Sequence, residues 1–230
     1  MLRIYAINLD HRSDRWQALQ ANALAHGLAP QAIRRWSAVA DPDFGALGCA
    51  KSHVAALAHF LTADDAPYAL VLEDDFEFVR PFGELLQAVN ALNAQRLDWD
   101  VLLLMGTAVL ALPPLPGGVA RVLESQSAAA YLFTRRYAAQ LLGCLAEGLP
   151  HMEAMRGSPL RPVVAHRHAV DQAWKALQRR DRWYIFSPAF GRQRPGFSDI
   201  ERREVDYDAL TYGLPAAQPA VEPAAQPAAA

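Results

Sequence analysis

Apolar residues recur along the chain in two rhythms. Over residues 2–9, branched and aromatic side chains form a short run that closes on polar residues, the pattern of a buried first strand. From Ser13, which suits a helix N-cap, Trp16, Leu19 and Ala23 return at helical spacing until Gly27 and Pro30 end the pattern. Residues 32–39 read as a second strand. The glycine-punctuated GALGCAKSH, residues 45–53, leads into a helix bearing Val54, Leu57, Ala58 and Leu61, which Asp64, Asp65 and Pro67 terminate. Residues 68–72 form the clearest strand, a continuous apolar run that passes into Glu73, Asp74 and Asp75. Pro81 opens a helix to about Asn93. Residues 100–104 and 128–133 read as buried strands, 135–145 and 170–179 as helices, and 183–186 as a last strand. Residues 110–118 and 149–162 are dominated by proline and glycine and lack periodicity, so they read as loops.

This alternation predicts an α/β fold with a mainly parallel central sheet flanked by helices, in which ligands bind beyond the carboxyl ends of the strands. After Leu214 the Pro/Ala/Gln repeat PAAQPAVEPAAQPAAA has almost no side chains able to form a core, so residues 1–214 are expected to be one domain and 215–230 a disordered tail. With 230 residues, 52% of them hydrophobic, the chain can bury a full core. A net charge of -2 supplies no electrostatic reason to expect nucleic acid. The two cysteines, Cys49 and Cys144, show neither a disulfide framework nor metal-ligand spacing, which suits a reducing cytosol. The N-terminus lacks the h-region and cleavage site of a signal peptide, and no stretch reaches the roughly 18 apolar residues of a membrane span. A cytoplasmic protein, soluble or peripherally attached to a membrane, is expected.

If the third strand stays extended through Asp75, Glu73 and Asp75 share one face and Asp74 takes the other. Such a carboxylate pair beside an apolar strand invites an oxygen-seeking ion, Mn²⁺ or Mg²⁺, that bridges a diphosphate; a solvated loop is the alternative. INLDHRSDR places Asn8, Asp10, Arg12, Asp14 and Arg15 at a strand-to-helix junction, where an arginine can meet phosphate and Asn8 a base or ribose, or where the charges simply face water. Lys51, Ser52 and His53 fall at an expected helix start, a favourable place for an anion, although His53 also suits a satisfied, partly buried role and Cys49 a packing role. Asp171 is either a helix-start acid or a base for an acceptor hydroxyl. GRQRPGFSDIE supplies Gln193, Arg194, Ser198 and Asp199 in a loop that closes over a diphosphate or merely covers the surface. His166 and His168 have no third ligand nearby and read as non-metal.

INLDHRSDR, GALGCAKSH, LVLEDD, VDQAW and QRPGFSDI, in that order over residues 2–201, resemble glycosyltransferase family 25, which includes bacterial lipooligosaccharide galactosyl- and glucosyltransferases and the collagen galactosyltransferases. The resemblance implies a GT-A-like nucleotide-diphosphosugar fold, a UDP-sugar donor, Mn²⁺ or Mg²⁺, and inversion at the anomeric carbon. It implies metal contact at Asp75, with Glu73 and Asp199 as further ligands. Donor contacts would come from Asn8, Arg12, Arg15, Ser52, Glu73, Asp74, Gln193 and Ser198, and Asp171 would be the base. The implied acceptor is a glycan or a lipid-linked saccharide at the inner face of the inner membrane. Lys51 departs from the family pattern and bears on donor or acceptor preference. Another metal-dependent sugar-nucleotide enzyme and a catalytically silent binding homologue are the competing readings.

Overall fold

The computed structural model describes residues 2–215; the stretch expected to be a disordered tail lies, from residue 216 on, outside the described residues. The chain runs β1 (Leu2–Asn8), α1 (Ser13–Ala25), β2 (Ile33–Ser37), α2 (Gly45–Ala63), β3 (Tyr68–Glu73) and β4 (Phe76–Phe78). It continues through α3 (Phe82–Ala94), β5 (Val101–Leu103), β6 (Thr107–Ala111), β7 (Val119–Gln126) and β8 (Ala130–Thr134). Helices α4 (Arg135–Ala154), α5 (Arg161–His168), α6 (Val170–Ala173) and α7 (Lys175–Arg180) precede β9 (Trp183–Phe186), and β10 (Gly191–Gln193), β11 (Gly196–Ser198) and β12 (Arg203–Val205) follow.

Eight strands form one sheet in the order β2-β1-β3-β8-β5-β9-β7-β6. The pairings set β2, β1, β3, β5, β9 and β6 in one direction and β8 and β7 against them, so the sheet is mainly parallel in strand direction with two reversed strands. Side chains alternate across it, and a separate core covers each face. Ala69 and Val71 of β3, Tyr131 and Phe133 of β8, and Trp183 and Ile185 of β9 pack under α2, α4, α6 and α7. Leu70 and Leu72, Ala130 and Leu132, and Tyr184 and Phe186 pack on the other face, with Leu19 of α1 and Leu85 and Leu92 of α3. A fully buried side chain such as Phe133 stabilises the fold by about 1.5–3 kcal/mol.

Several elements differ from the sequence expectation. Helix α2 begins at Gly45, so Lys51, Ser52 and His53 lie in its second and third turns and not at its start. The helix can start early because Gly45 and Gly48 have no side chain: a Cβ on Gly48 would sit 2.5 Å from the Val39 carbonyl oxygen, and one on Gly45 would sit 3.1 Å from the Ile200 Cα. Helix α4 runs on through Pro150 to Ala154, because Leu145, Gly148 and Met152 are buried against its neighbours and packing outweighs the missing amide. The helix expected over 170–179 breaks at Trp174 into α6 and α7. Strand β6 ends two residues into the stretch read as loop, and β7 follows directly after that stretch.

Strands β4 and β10 pair antiparallel, with Gly191 opposite Phe78 and Gln193 opposite Phe76. A side chain at Gly191 would overlap the buried Phe76 ring and lie 2.5 Å from the Glu77 carbonyl oxygen. Gly191→Ala is therefore expected to destabilise the protein by about 1–3 kcal/mol, the usual range for overpacking a tight interior. Urea unfolding checks this; an unchanged midpoint would show that the β4–β10 ribbon has slack.

Candidate functional site

The ends of β1 and β3 meet at an acidic turn. Strand β3 stops at Glu73 and the chain turns through Asp74 and Asp75 before β4, so period-two alternation does not extend to Asp75. The expectation that Glu73 and Asp75 share a face opposite Asp74 is corrected accordingly: Glu73 faces α2, whereas Asp74 and Asp75 share one arginine from α1. Arg15 Nη1 donates to Asp74 Oδ1 at 3.0 Å and to Asp75 Oδ2 at 3.4 Å. Asp74 Oδ2 accepts from the Asn8 amide at 2.7 Å, and Asp75 Oδ2 accepts from Gln193 Nε2 at 3.1 Å. Asp75 Oδ1 is buried without a hydrogen-bond partner among the described residues. Burial, then the charges of Glu73 and Asp74, push the Asp75 carboxyl up to about 7 against the pull of Arg15 and Gln193. A bare, buried carboxylate oxygen beside two further carboxylates is the donor chemistry that suits a hard divalent cation.

Glu73 points the other way. Its Oε1 lies 3.1 Å from His53 Nε2 and accepts from the Cys49 thiol at 3.6 Å, while His53 Nδ1 lies 2.8 Å from the Tyr131 hydroxyl. Burial works to raise the Glu73 carboxyl, but the contacts with His53 and Cys49 and the charge of Arg15 hold it below the ordinary carboxylate range. Burial and the neighbouring Glu73, Asp171 and Asp75 push the Cys49 thiol well above its ordinary range, which leaves it a poor nucleophile.

Two clefts open on either side of Glu73. The larger, of about 580 Å³, runs from Ile7 and Leu9 past Arg15 and the acidic turn to Phe197 and Arg202. The smaller, of about 220 Å³, holds Asp171 with Gln126, Ser127 and Tyr207. Cys49, Glu73, Gln193, Ser198 and Ile200 line both, so the clefts meet there. Asp171, in the first turn of α6, accepts from the Ser127 amide at 3.1 Å. Burial raises its carboxyl, the Ser127 hydrogen bond opposes this, and the nearby Glu73 charge adds to the rise. Ser127 sits at φ +76°, a left-handed conformation that costs a non-glycine residue on the order of 1–3 kcal/mol and here aims the amide at Asp171.

The structure thus brings Arg15, Glu73, Asp74, Asp75, Gln193, Ser198, Asp199 and Asp171 to the two clefts. Two expected donor contacts are engaged within the fold. Asn8 is 1% exposed, and its amide is spent on Asp74, the Arg12 carbonyl and Arg35 Nε, so it ties β1, β2 and β3 together behind the larger cleft. Ser52 borders the larger cleft but is fully buried; its hydroxyl donates to the Gly48 carbonyl and accepts from the Val39 amide, which fastens the β2–α2 loop to the helix. Arg12 donates to Asp199 Oδ2 at 2.6 Å, and Arg15 also reaches the Phe197 carbonyl and lies 4.0 Å from Asp199. These arginines hold the β11 loop over the acidic turn, and an ion at Asp199 would compete with them. Lys51 pairs with Glu153 at 2.8 Å on the surface. His168 stacks on His151. Ser127, Tyr131 and Tyr207 carried no motif and join the site only through the packing of distant segments.

No family model matches the chain and no curated protein matches it, so the family resemblance rests on the five motifs. Among solved structures the chain is similar to mannose-1-phosphate geranyltransferase from Thermus thermophilus, with TM-score 0.42 and 15% identity over 79% of this chain. It is similar to A197 from STIV, with TM-score 0.47 and 11% identity over 89% of this chain and 93% of that one. UDP-glucose pyrophosphorylase from Acinetobacter baumanii gives TM-score 0.43 and 14% identity over 84% of this chain. The chain spans 58% of the geranyltransferase and 65% of the pyrophosphorylase.

Proposed function

We propose that the protein is a GT-A-like, inverting glycosyltransferase that moves galactose or glucose from a UDP-sugar to a hydroxyl of a glycan acceptor. The observation that carries this reading is the pair of clefts meeting at Glu73 and Gln193, one ending in the acidic turn with Arg15 and the other holding Asp171. The larger cleft lies beyond the carboxyl ends of β1 and β3, where open α/β sheets take nucleotides. The smaller one suits a sugar hydroxyl.

Asp171 accepts the proton of the acceptor hydroxyl, whose oxygen forms the new bond to the anomeric carbon as the bond to the UDP β-phosphate oxygen breaks. A carboxyl raised by burial is a stronger base than a solvated one, and the Ser127 amide keeps it oriented. Asp75 would hold Mn²⁺ or Mg²⁺ through Oδ1, with Glu73 and Asp199 within the same cleft, and the ion would supply charge neutralisation to the diphosphate. Arg15 adds a fixed positive charge beside the leaving group. Among the described residues no helix is long and apolar enough to cross a membrane. The lipid-linked acceptor and a peripheral place at the inner membrane face follow from the family resemblance.

Calorimetry with UDP tests the donor half: affinity is expected to require Mn²⁺ and to fall by about tenfold or more in Asp75→Ala, and metal-independent binding that survives the substitution would overturn the assignment. For the chemical step, Asp171→Asn is expected to lower kcat by about 100-fold or more while UDP affinity holds. Mass analysis of products from UDP-galactose and UDP-glucose with a glycan acceptor follows the transfer. Wild-type turnover in Asp171→Asn would remove it as base, and release of sugar phosphate in place of an enlarged glycan would favour a sugar-nucleotide hydrolase.

A further inference from the structure

Cys49 and His53 stand four residues apart on α2, so they project from one face of the helix. The sequence showed neither cysteine in a metal-ligand pattern because the third donor lies on another element, at the end of β3. Cys49 Sγ, a His53 ring nitrogen and a Glu73 carboxylate oxygen all lie within 4.8 Å of one another. Two of the three separations are already short: 3.1 Å from His53 Nε2 to Glu73 Oε1 and 3.6 Å from Cys49 Sγ to the same oxygen. A tetrahedral zinc ion holds its sulfur, nitrogen and oxygen donors about 3.2–3.7 Å apart, given metal–ligand bonds of about 2.0–2.3 Å.

The geometry points to a site for a borderline-soft divalent cation, Zn²⁺ above all, held by Cys49, His53 and Glu73 in the wall between the two clefts. This goes beyond the transferase reading and does not depend on it. One thiolate, one imidazole and one carboxylate select zinc over the hard ions that favour all-oxygen sites. The Tyr131 hydroxyl, 2.8 Å from His53 Nδ1, is the outer partner that fixes the ring so that Nε2 faces the ion. Cys49 and Glu73 line both clefts, which provides an entry path and an open fourth position for water. Binding replaces the thiol proton, which passes to solvent, and the ion's charge compensates the negative surroundings of Glu73, Asp171 and Asp75. Because Glu73 also borders the acidic turn, zinc here would compete with an oxygen-bound ion for that carboxylate.

Cobalt(II) is the spectroscopic probe. Titration of the full chain with Co²⁺ is expected to give one equivalent of a thiolate-to-cobalt charge-transfer band, which added Zn²⁺ bleaches. The band should vanish in Cys49→Ser, a near-isosteric change that spares the packing, and remain in Cys144→Ser and Asp75→Ala. No band in the wild type, or a band that survives Cys49→Ser, overturns the site. Retention in Asp75→Ala separates this outcome from the donor-site assignment, and a protein that binds cobalt this way without transferring sugar would retain the zinc site and lose only the transferase reading.

Discussion

The hydrogen bond from the Asn8 amide to the Asp74 carboxylate, 2.7 Å long and buried, joins the ends of β1 and β3, and the site is organised around it. A carboxylate taken out of water needs compensation, and a hydrogen bond to a charged group stabilises by about 1.5–3 kcal/mol. Asn8 serves one oxygen of Asp74 and Arg15 the other, and Arg35 from β2 holds the Asn8 carbonyl. With Asp74 anchored, the chain is committed to turn there. Asp75 is thereby delivered to Gln193 on β10, and Glu73 is left pointing at α2.

That division follows the two cores. Each strand of the central sheet sends alternate residues to opposite faces, and Glu73 continues the Ala69, Val71 series toward α2 and α4. Asp74 continues the Leu70, Leu72 series toward α1, where Arg15 waits. The acidic triplet is thus split between two environments by the same rule that sorts the apolar residues. One carboxylate meets an imidazole and a thiol and is held low; another meets burial and like charge, which Arg15 and the Gln193 amide only partly offset, and is pushed up.

The clefts themselves depend on close backbone approach. Gly45 and Gly48 let α2 pack against Ile200 and Val39, and Ser52 locks the β2–α2 loop in place. Arg12 and Arg15 pull the β11 loop down over the acidic turn through Asp199 and Phe197. The walls are therefore held by contacts between segments far apart in sequence, with the positive charge of two arginines set beside the carboxylates they enclose.

The amino-acid sequence by itself determined the strands that are buried on both faces, because β1, β3, β5, β8 and β9 read as short apolar runs whatever surrounds them. It also placed the acidic triplet at a strand end and Asp171 at a helix start, since local patterning marks both. Tertiary structure alone decided the rest. The β6–β7 pair lies at the sheet edge, where partly exposed residues carry a weak period, and α4 persists through Pro150 only because its far end is packed. Alternation carries Glu73 and Asp74 to opposite faces, but it lapses in the turn that follows, so the partner of Asp75 could not be read from spacing. The partners of the triplet, Asn8, Arg15, His53 and Gln193, lie 20 to 118 residues away. Burial and charge act through space, and only the folded chain sets those distances.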